Sequence, residues 1–234
     1  GCVSRLLVLG ASGNLRGVFS IAIVAVTALA TYSGVLVPLR DGLGGVLNTS
    51  AIGGNDLLAQ LGVGRPVGVA LGVILAATAL ALALKARISF WRLSGGAMIG
   101  LTVAAGWYFT WQLSTQVFEP IQAESLSFIR PLATSSELAL GSGLAGLDQG
   151  LLIGVVLGAF AAALVSGEFR VATFSEPGTP SVWRYAAGSV LMGFGGILAV
   201  GCTIGAGLTG GSVLAVSALL GLASMMSGGI LAQL

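Results

Sequence analysis

Two cysteines are the residues of this chain with chemistry of their own, and each lies in a similar glycine-rich segment. Cys2 belongs to GCVSRLLVLGASG and Cys202 to AVGCTIGAGLTGGSVLA. At a constant offset of 200, the identical pairs are Gly1 and Gly201, Cys2 and Cys202, Gly10 and Gly210, and Ser12 and Ser212. We interpret these pairs as a repeat. Because a thiol is polarizable and a weak hydrogen-bond donor, a thiol in each copy favours a substrate that contains sulfur or is redox-reactive.

The same residues also have simpler interpretations. A free cysteine often serves as a small hydrophobic residue in a packed helix crossing, and glycines let membrane helices approach closely. Arg5 either extends its charge toward the membrane surface, or lies beside Cys2, where it favours anions and the thiolate.

The composition indicates an all-α polytopic membrane protein. Of the 234 residues, 56% are hydrophobic and 8% are charged, and the mean hydropathy is +1.01, whereas a soluble domain has about 25% charged residues. The 38 glycines suit close helix packing in a bilayer. The chain has no histidine, the commonest metal ligand, and we predict no metal site, no cofactor and no nucleic-acid partner.

Six apolar stretches come near the ~20 residues that are needed to cross a membrane. They are roughly Leu15–Pro38, Pro66–Leu84, Gly95–Leu113, Gly150–Val165, Val182–Val200 and Ser212–Leu234. If the odd-numbered spans run outward, the inner side holds Arg5, Arg16, Lys85, Arg87, Arg92, Arg170 and Arg184, and the outer side holds Arg40, Arg65 and Arg130. The positive-inside rule favours this orientation.

The connections between the spans differ in character. The outer connections Arg40–Arg65 and Ser114–Gln149 mix short apolar runs with Gly, Asn and Ser. We expect short interfacial or dipping helices there, since a flexible linker would be more polar. The inner loop 166–184 contains Pro and Ser signals and is predicted to be irregular.

The glycines of Gly201–Gly210 predict that this segment does not continue the preceding span and that Cys202 lies near mid-membrane. Irregular backbone cannot face lipid, because unpaired N–H and C=O groups are too costly there. A half-helix that begins at mid-depth directs N–H groups and the positive end of its dipole at a polar path, which suits an anion. Repeats with such interrupted segments indicate a transport site.

Three segments resemble the YeeE/YedE sulfur-transport family, the bacterial thiosulfate-uptake permeases, and the likeness runs along essentially the whole chain. Gly193–Ala215 resembles the second signature of the family, Gly1–Gly34 its earlier cysteine segment, and Arg92–Thr110 its middle span. The resemblance implies a multi-pass permease of the bacterial inner membrane with inverted halves. In this family, short helices dip to a central constriction, and cysteines there pass thiosulfate along by weak S–H contacts.

On this sequence, the resemblance gives that role to the two cysteines and to the backbone around them. The residues expected along the substrate path, with Arg5 added from its position near Cys2, are Cys2, Arg5, Gly201, Cys202, Thr203, Gly205 and Gly207. The implied partners are a small sulfur anion, preferably thiosulfate, the lipid bilayer and a small soluble sulfur-carrier protein on the cytoplasmic side. Some members of the family are tied to selenium or to other sulfur compounds.

Members of the family commonly carry a further cysteine upstream of the Cys2 segment, and it is absent here. We therefore expect either an N-terminally incomplete chain or one half of a split form. We treat 1–234 as a single transport domain. Its parts are a first Gly-Cys segment at 1–38, middle spans and loops at 39–181, and a second Gly-Cys segment at 182–234.

Two other functions compete with a permease. A sulfurtransferase-type membrane enzyme would move sulfur through a cysteine persulfide, but no His or obvious acid accompanies Cys202 as a base. A non-conducting structural subunit has no need of costly irregular backbone at depth. We therefore favour a permease that is not an enzyme. No acidic residue lies centrally in a span, so we expect facilitated movement rather than a carboxylate proton relay.

Overall fold

The regular structure of the chain is helical. A computed structural model describes residues 2–46, 54–116, 125–141, 146–176, 178–199 and 201–231. The helices are α1 (Val3–Ala11), α2 (Leu15–Tyr32), α3 (Val37–Val46), α4 (Leu57–Gln60), α5 (Arg65–Lys85), α6 (Phe90–Gln116), α7 (Ile129–Ala139), α8 (Leu147–Val165), α9 (Val182–Leu198), a π-helix (Gly205–Gly210) and α10 (Val216–Leu231). Within these ranges the β-type contacts are isolated bridges, and the all-α class is confirmed.

Each predicted span contains a helix, although several boundaries differ, and α6 begins at Phe90 rather than at Gly95. The first span is divided, because α2 ends at Tyr32 and α3 begins at Val37, beside a proline that suits the first turn of a new helix. The last helix begins at Val216 rather than at Ser212, and residues 232–234 lie outside the described ranges. Short helices occupy the described parts of both outer connections, and the described part of the loop after α8 is irregular, as predicted.

Among the described residues, two helices are long and apolar enough to cross a membrane: α2 and the Pro66–Lys85 part of α5. Residues Gln149–Val165 and Val216–Leu231 form shorter apolar helices. The segment of α5 has a mean hydropathy of 2.5, and no part of it is buried. Because a helix that is apolar on all sides needs an apolar environment, these features are those of an α-helical membrane protein.

The packed core forms around α2, which contacts α1, α7 and α9. Val24 on α2 is fully buried, and Ile129 on α7 is 2% exposed. The close approach of α2 and α9 depends on Gly193, where an added Cβ would lie 2.8 Å from Thr27 Cβ and 3.0 Å from Val24 O. Small residues at helix crossings are the usual means by which membrane helices associate.

Two helical hairpins place the two cysteines. In the first, α1 leads through a turn at 12–14 into α2, and in the second a helical stretch at 203–212 leads through a turn at 213–215 into α10. The predicted break is confirmed, because α9 ends at Leu198 and a separate helical stretch follows Cys202. At the start of the hairpins, Leu6 N donates to Cys2 O at 3.0 Å, and Ala206 N donates to Cys202 O at 2.7 Å.

Beyond the π-helix, equivalent residues differ by 201 instead of 200. Gly13 and Leu214 both adopt positive φ, at 98° and 52°. Gly13 N donates to Gly10 O and Leu214 N to Gly211 O, each at 3.1 Å. A π-helix accommodates one additional residue relative to an α-helix, and such insertions are frequent at functional sites. The turn of the second hairpin therefore lies one residue farther from its cysteine than the turn of the first hairpin does.

The caps of α2 and α10 are equivalent but come from different parts of the chain. Asn14 caps α2 through its own side chain, which accepts from Arg16 N at 3.0 Å. The equivalent position before α10 is Ala215, which has no capping group. Asn55, which comes just before α4, supplies the missing acceptor, because its Oδ1 accepts from Ser217 N at 2.8 Å.

The crossing of α2 and α9 can be tested with two glycines of one helix. Gly193→Ala is expected to lower the melting temperature of the purified protein in detergent by several degrees, because overpacking of this kind costs about 1–3 kcal/mol. Gly188→Ala on the same helix is the control, since an added Cβ there meets no atom within 4 Å. Equal melting temperatures of the two variants would contradict the close crossing.

Candidate functional site

The N-terminal ends of the two short helices bring Cys2 and Cys202 close together. Both are free thiols, and the residue that follows Cys202 reaches the sulfur of Cys2. Cys202 is only 4% exposed, whereas Cys2 is half-buried. Thr203 Oγ1 donates to Cys2 Sγ at 2.6 Å, and Ser4 Oγ lies 3.0 Å from the same sulfur. The site is therefore a pair of thiols with two hydroxyls at one of them.

A cavity of about 600 Å³ reaches both thiols. Its walls come from the C-terminal half of α9 and from the C-terminal part of α10. Its polar lining includes Thr203 and Ser224, and its apolar lining includes Met192, Met225 and several glycines. Methionine and cysteine side chains give this cavity a soft, polarizable surface. We name it the thiol cavity.

A second cavity, of about 360 Å³, adjoins the thiol cavity. Gly196 and Ala199 line both this cavity and the thiol cavity. These residues at the C-terminal end of α9 form the wall at which the two cavities adjoin. Two guanidinium groups, those of Arg40 and Arg130, line the second cavity. We name it the arginine cavity.

A third cavity, of about 250 Å³, lies beside α1 and the N-terminal half of α9. Arg184, Tyr185 and Ser20 contribute polar groups to its lining. Met192 lines this cavity as well as the thiol cavity. The three cavities therefore follow one another along α9, with the thiols beside the middle one.

The structure brings some of the predicted path residues together and separates others. Gly201 forms the tight turn before the second short helix, where an added Cβ would lie 3.2 Å from Ala206 N. Gly205 lines the arginine cavity. An added Cβ on Gly207 would face Leu222 Cδ1 at 3.6 Å, so Gly207 is directed at α10.

Arg5 lies on the exposed side of α1 and does not line any of these three cavities. The structure does not place this charge at the thiols. The sequence analysis also missed several residues of the site, namely Ser4, Arg40, Arg130, Met192 and Ser224. The sequence does place both arginines in predicted outer connections. Only the tertiary structure brings them to one cavity.

Comparison with known proteins decides the relationship of the chain. The sequence profile described as sulphur transport matches residues 1–231. The chain belongs to the sulphur transport family. The family resemblance that the sequence indicated is thereby confirmed.

Two relatives in the sulphur transport family are named thiosulfate transporter TsuA. The protein of Spirochaeta thermophila is 32% identical over 123 residues, which cover 47% of this chain and 36% of that protein. The protein of Escherichia coli is 40% identical over 78 residues, which cover 33% of this chain and 21% of that protein. The chain thus matches about a third of the length of one curated relative and a fifth of the other.

The proximity of the two thiols of this sulphur transport protein can be tested by oxidation. Copper phenanthroline is expected to join Cys2 and Cys202 in a disulfide within one chain, because both line one cavity and Thr203 binds the sulfur of Cys2. Peptide mapping by mass spectrometry without reductant detects the linked peptides, and Cys2→Ala is the control that cannot form the link. Recovery of both cysteines as free, alkylatable thiols after oxidation would contradict their proximity.

Proposed function

We propose that this chain conducts a small sulfur-containing anion, preferably thiosulfate, through the bacterial inner membrane along a path that passes Cys2 and Cys202. The observation that carries the proposal is a pair of thiols in one cavity that adjoins a second cavity at the end of α9. A permease needs approaches to its site from both faces, whereas an enzyme needs one. The names of the two relatives support thiosulfate as the substrate.

The chemistry of the cavities suits an anion that is held weakly. The guanidinium groups in the arginine cavity attract anions from a distance, although Arg40 is paired with Asp41 at 2.8 Å. At the wall the groups are thiols and the N-terminal ends of two short helices, which offer partial rather than full positive charge. A weak contact permits release, and conduction requires release as much as binding.

We further propose that six helices cross the membrane, namely α2, α5, α6, α8, α9 and α10. They range from 16 residues in α10 to 27 in α6, or about 24–40 Å at 1.5 Å per residue. The distribution of Lys and Arg in the sequence supports an inner side at the start of α2. In this orientation, the third cavity opens inward, the arginine cavity opens outward, and the two hairpins enter from opposite faces as inverted repeats.

The chain acts as one transport domain in this proposal, and transport requires no enzymatic step. The soluble sulfur-carrier partner stays a prediction of the family resemblance, since neither the comparisons nor the contacts of the described residues support a docking site for it. Selenium-containing anions stay alternative substrates of the same path.

The role of the thiol is tested by removing it. Cys202→Ala is expected to keep the protein in the membrane and to reduce uptake of labelled thiosulfate at least about tenfold. Cys202→Ser should do much the same, because a hydroxyl is a harder donor that holds water or an oxyanion more firmly. The measurement is uptake into cells, normalised to the amount of protein in the membrane.

The control for these cysteine variants is Ser94→Ala, which removes a hydroxyl that binds its own helix, α6, at Trp91 O. It is expected to leave uptake unchanged. If Cys202→Ala retains wild-type uptake, the buried cysteine is a packing residue, and the main reason for a sulfur substrate is lost.

The arginine cavity makes a separate prediction. Arg130→Gln is expected to raise the thiosulfate concentration that gives half-maximal uptake by roughly two- to tenfold, with a larger effect at low salt. Arg92→Gln is the matched control, because this exposed arginine lies at the opposite, predicted inner side. An equal effect of both substitutions would show that Arg130 acts only through the net charge of the protein.

A further inference from the structure

The sulfur of Cys2 has polar partners that its counterpart lacks in the described structure. Thr203 Oγ1 donates to Cys2 Sγ at 2.6 Å, across 201 positions of sequence. Ser4 Oγ lies 3.0 Å from the same sulfur. Cys202 is instead part of the packed core and is 4% exposed. The two thiols of the repeat are therefore not equivalent.

The hydroxyl of Thr203 is placed where it could otherwise act on an anion. Thr203 lines the thiol cavity and is exposed. A free hydroxyl at this position would be a hard donor, which binds oxyanion oxygens strongly. Because the O–H is directed at the sulfur of Cys2, that donor is withdrawn from the cavity. The Cys2 thiol lines the cavity in place of that hydroxyl donor.

The same hydrogen bond determines how that thiol acts. With its sulfur accepting from Thr203 Oγ1, the S–H of Cys2 is left to donate, either to Ser4 Oγ at 3.0 Å or to an anion in the thiol cavity. Hydrogen bonds in a chain polarise one another, so the S–H of Cys2 becomes a better donor when its sulfur accepts from Thr203. The bond also joins Cys2, the residue before α1, to Thr203 at the start of the second short helix. It therefore fixes the position of one thiol relative to the other.

We propose that Thr203 is a positioning residue that sets the preference of the path for anions with a terminal sulfur over anions that bear only oxygen. Its hydroxyl holds the Cys2 thiol so that the S–H, and not an O–H, meets the anion. This inference rests on the proposed transport function. Thiosulfate and sulfate have the same charge and similar shape, so the pair measures the preference directly.

The test uses the full chain in membrane vesicles, with labelled thiosulfate as the substrate and sulfate as the competitor. Thr203→Val removes the hydroxyl at nearly constant size. It is expected to raise KM for thiosulfate about two- to tenfold, the effect of one hydrogen bond, and to make sulfate a better competitor by a similar factor. Thr203→Ser retains the hydroxyl and should restore both values. Thr78→Val is the control, because that hydroxyl binds its own helix at Leu75 O.

A second readout reports on the thiol itself. The rate at which a small charged methanethiosulfonate reagent labels Cys2, followed by peptide mass spectrometry, should change several-fold in Thr203→Val and stay unchanged in Thr78→Val. A threonine that only packs would not move this rate. If Thr203→Val does not accumulate in the membrane, Thr203→Ala removes the same hydroxyl without adding bulk and is judged by the same measurements.

The outcomes separate the two proposals. Absence of thiosulfate uptake by the wild-type chain would overturn the proposed function. Wild-type uptake together with unchanged KM, unchanged competition by sulfate and unchanged labelling in the hydroxyl-free variant would overturn the role of Thr203 alone. A changed KM that Thr203→Ser does not restore would also overturn it, because the effect would then come from the shape of the side chain.

Discussion

The backbone N–H groups at the start of two short helices impose the main constraint on this structure. A helix leaves its first four N–H groups without partners within the helix, and lipid cannot supply them. Both short helices begin inside the protein, at Cys2 and Cys202, and they begin next to each other. The central position of α2 and the close crossing with α9 keep these two ends within the packed core. The candidate site therefore lies where the fold leaves backbone N–H groups without partners in their own helix.

The constraint also explains why the chain contains so few charges. The groups at the wall between the cavities are thiols, hydroxyls and backbone dipoles, and full charges lie farther away, at Arg40 and Arg130 on one side and Arg184 on the other. In the proposed path, this graded arrangement would attract an anion without holding it. The exposed apolar surface of α5 complements it on the outside, where lipid requires no polar group at all.

Sequence reasoning was most successful where the determining physics is local. Glycine density predicted the break at Gly201–Gly210, and Pro and Ser predicted the irregular loop after α8. It failed at the end of α2, where the predicted first span is divided into two helices. The single offset of 200 did not reveal the inserted residue, because a π-helix has no sequence signature. Only the positions of the two turns show that the offset changes to 201. The hydrogen bond from Thr203 to Cys2 joins distant positions and follows from packing alone.

The borrowed cap of α10 has a consequence for the order in which the protein folds. Asn14 is next to the helix that it caps, so the cap of α2 is a local contact, whereas the turn beside it pairs with Arg170 and Ala172. The cap of α10 depends on Asn55, 162 positions earlier, and a contact over that distance forms only after the intervening chain has been arranged. The cap of α2 can thus form with its own hairpin, whereas the cap of α10 requires two distant segments to meet first.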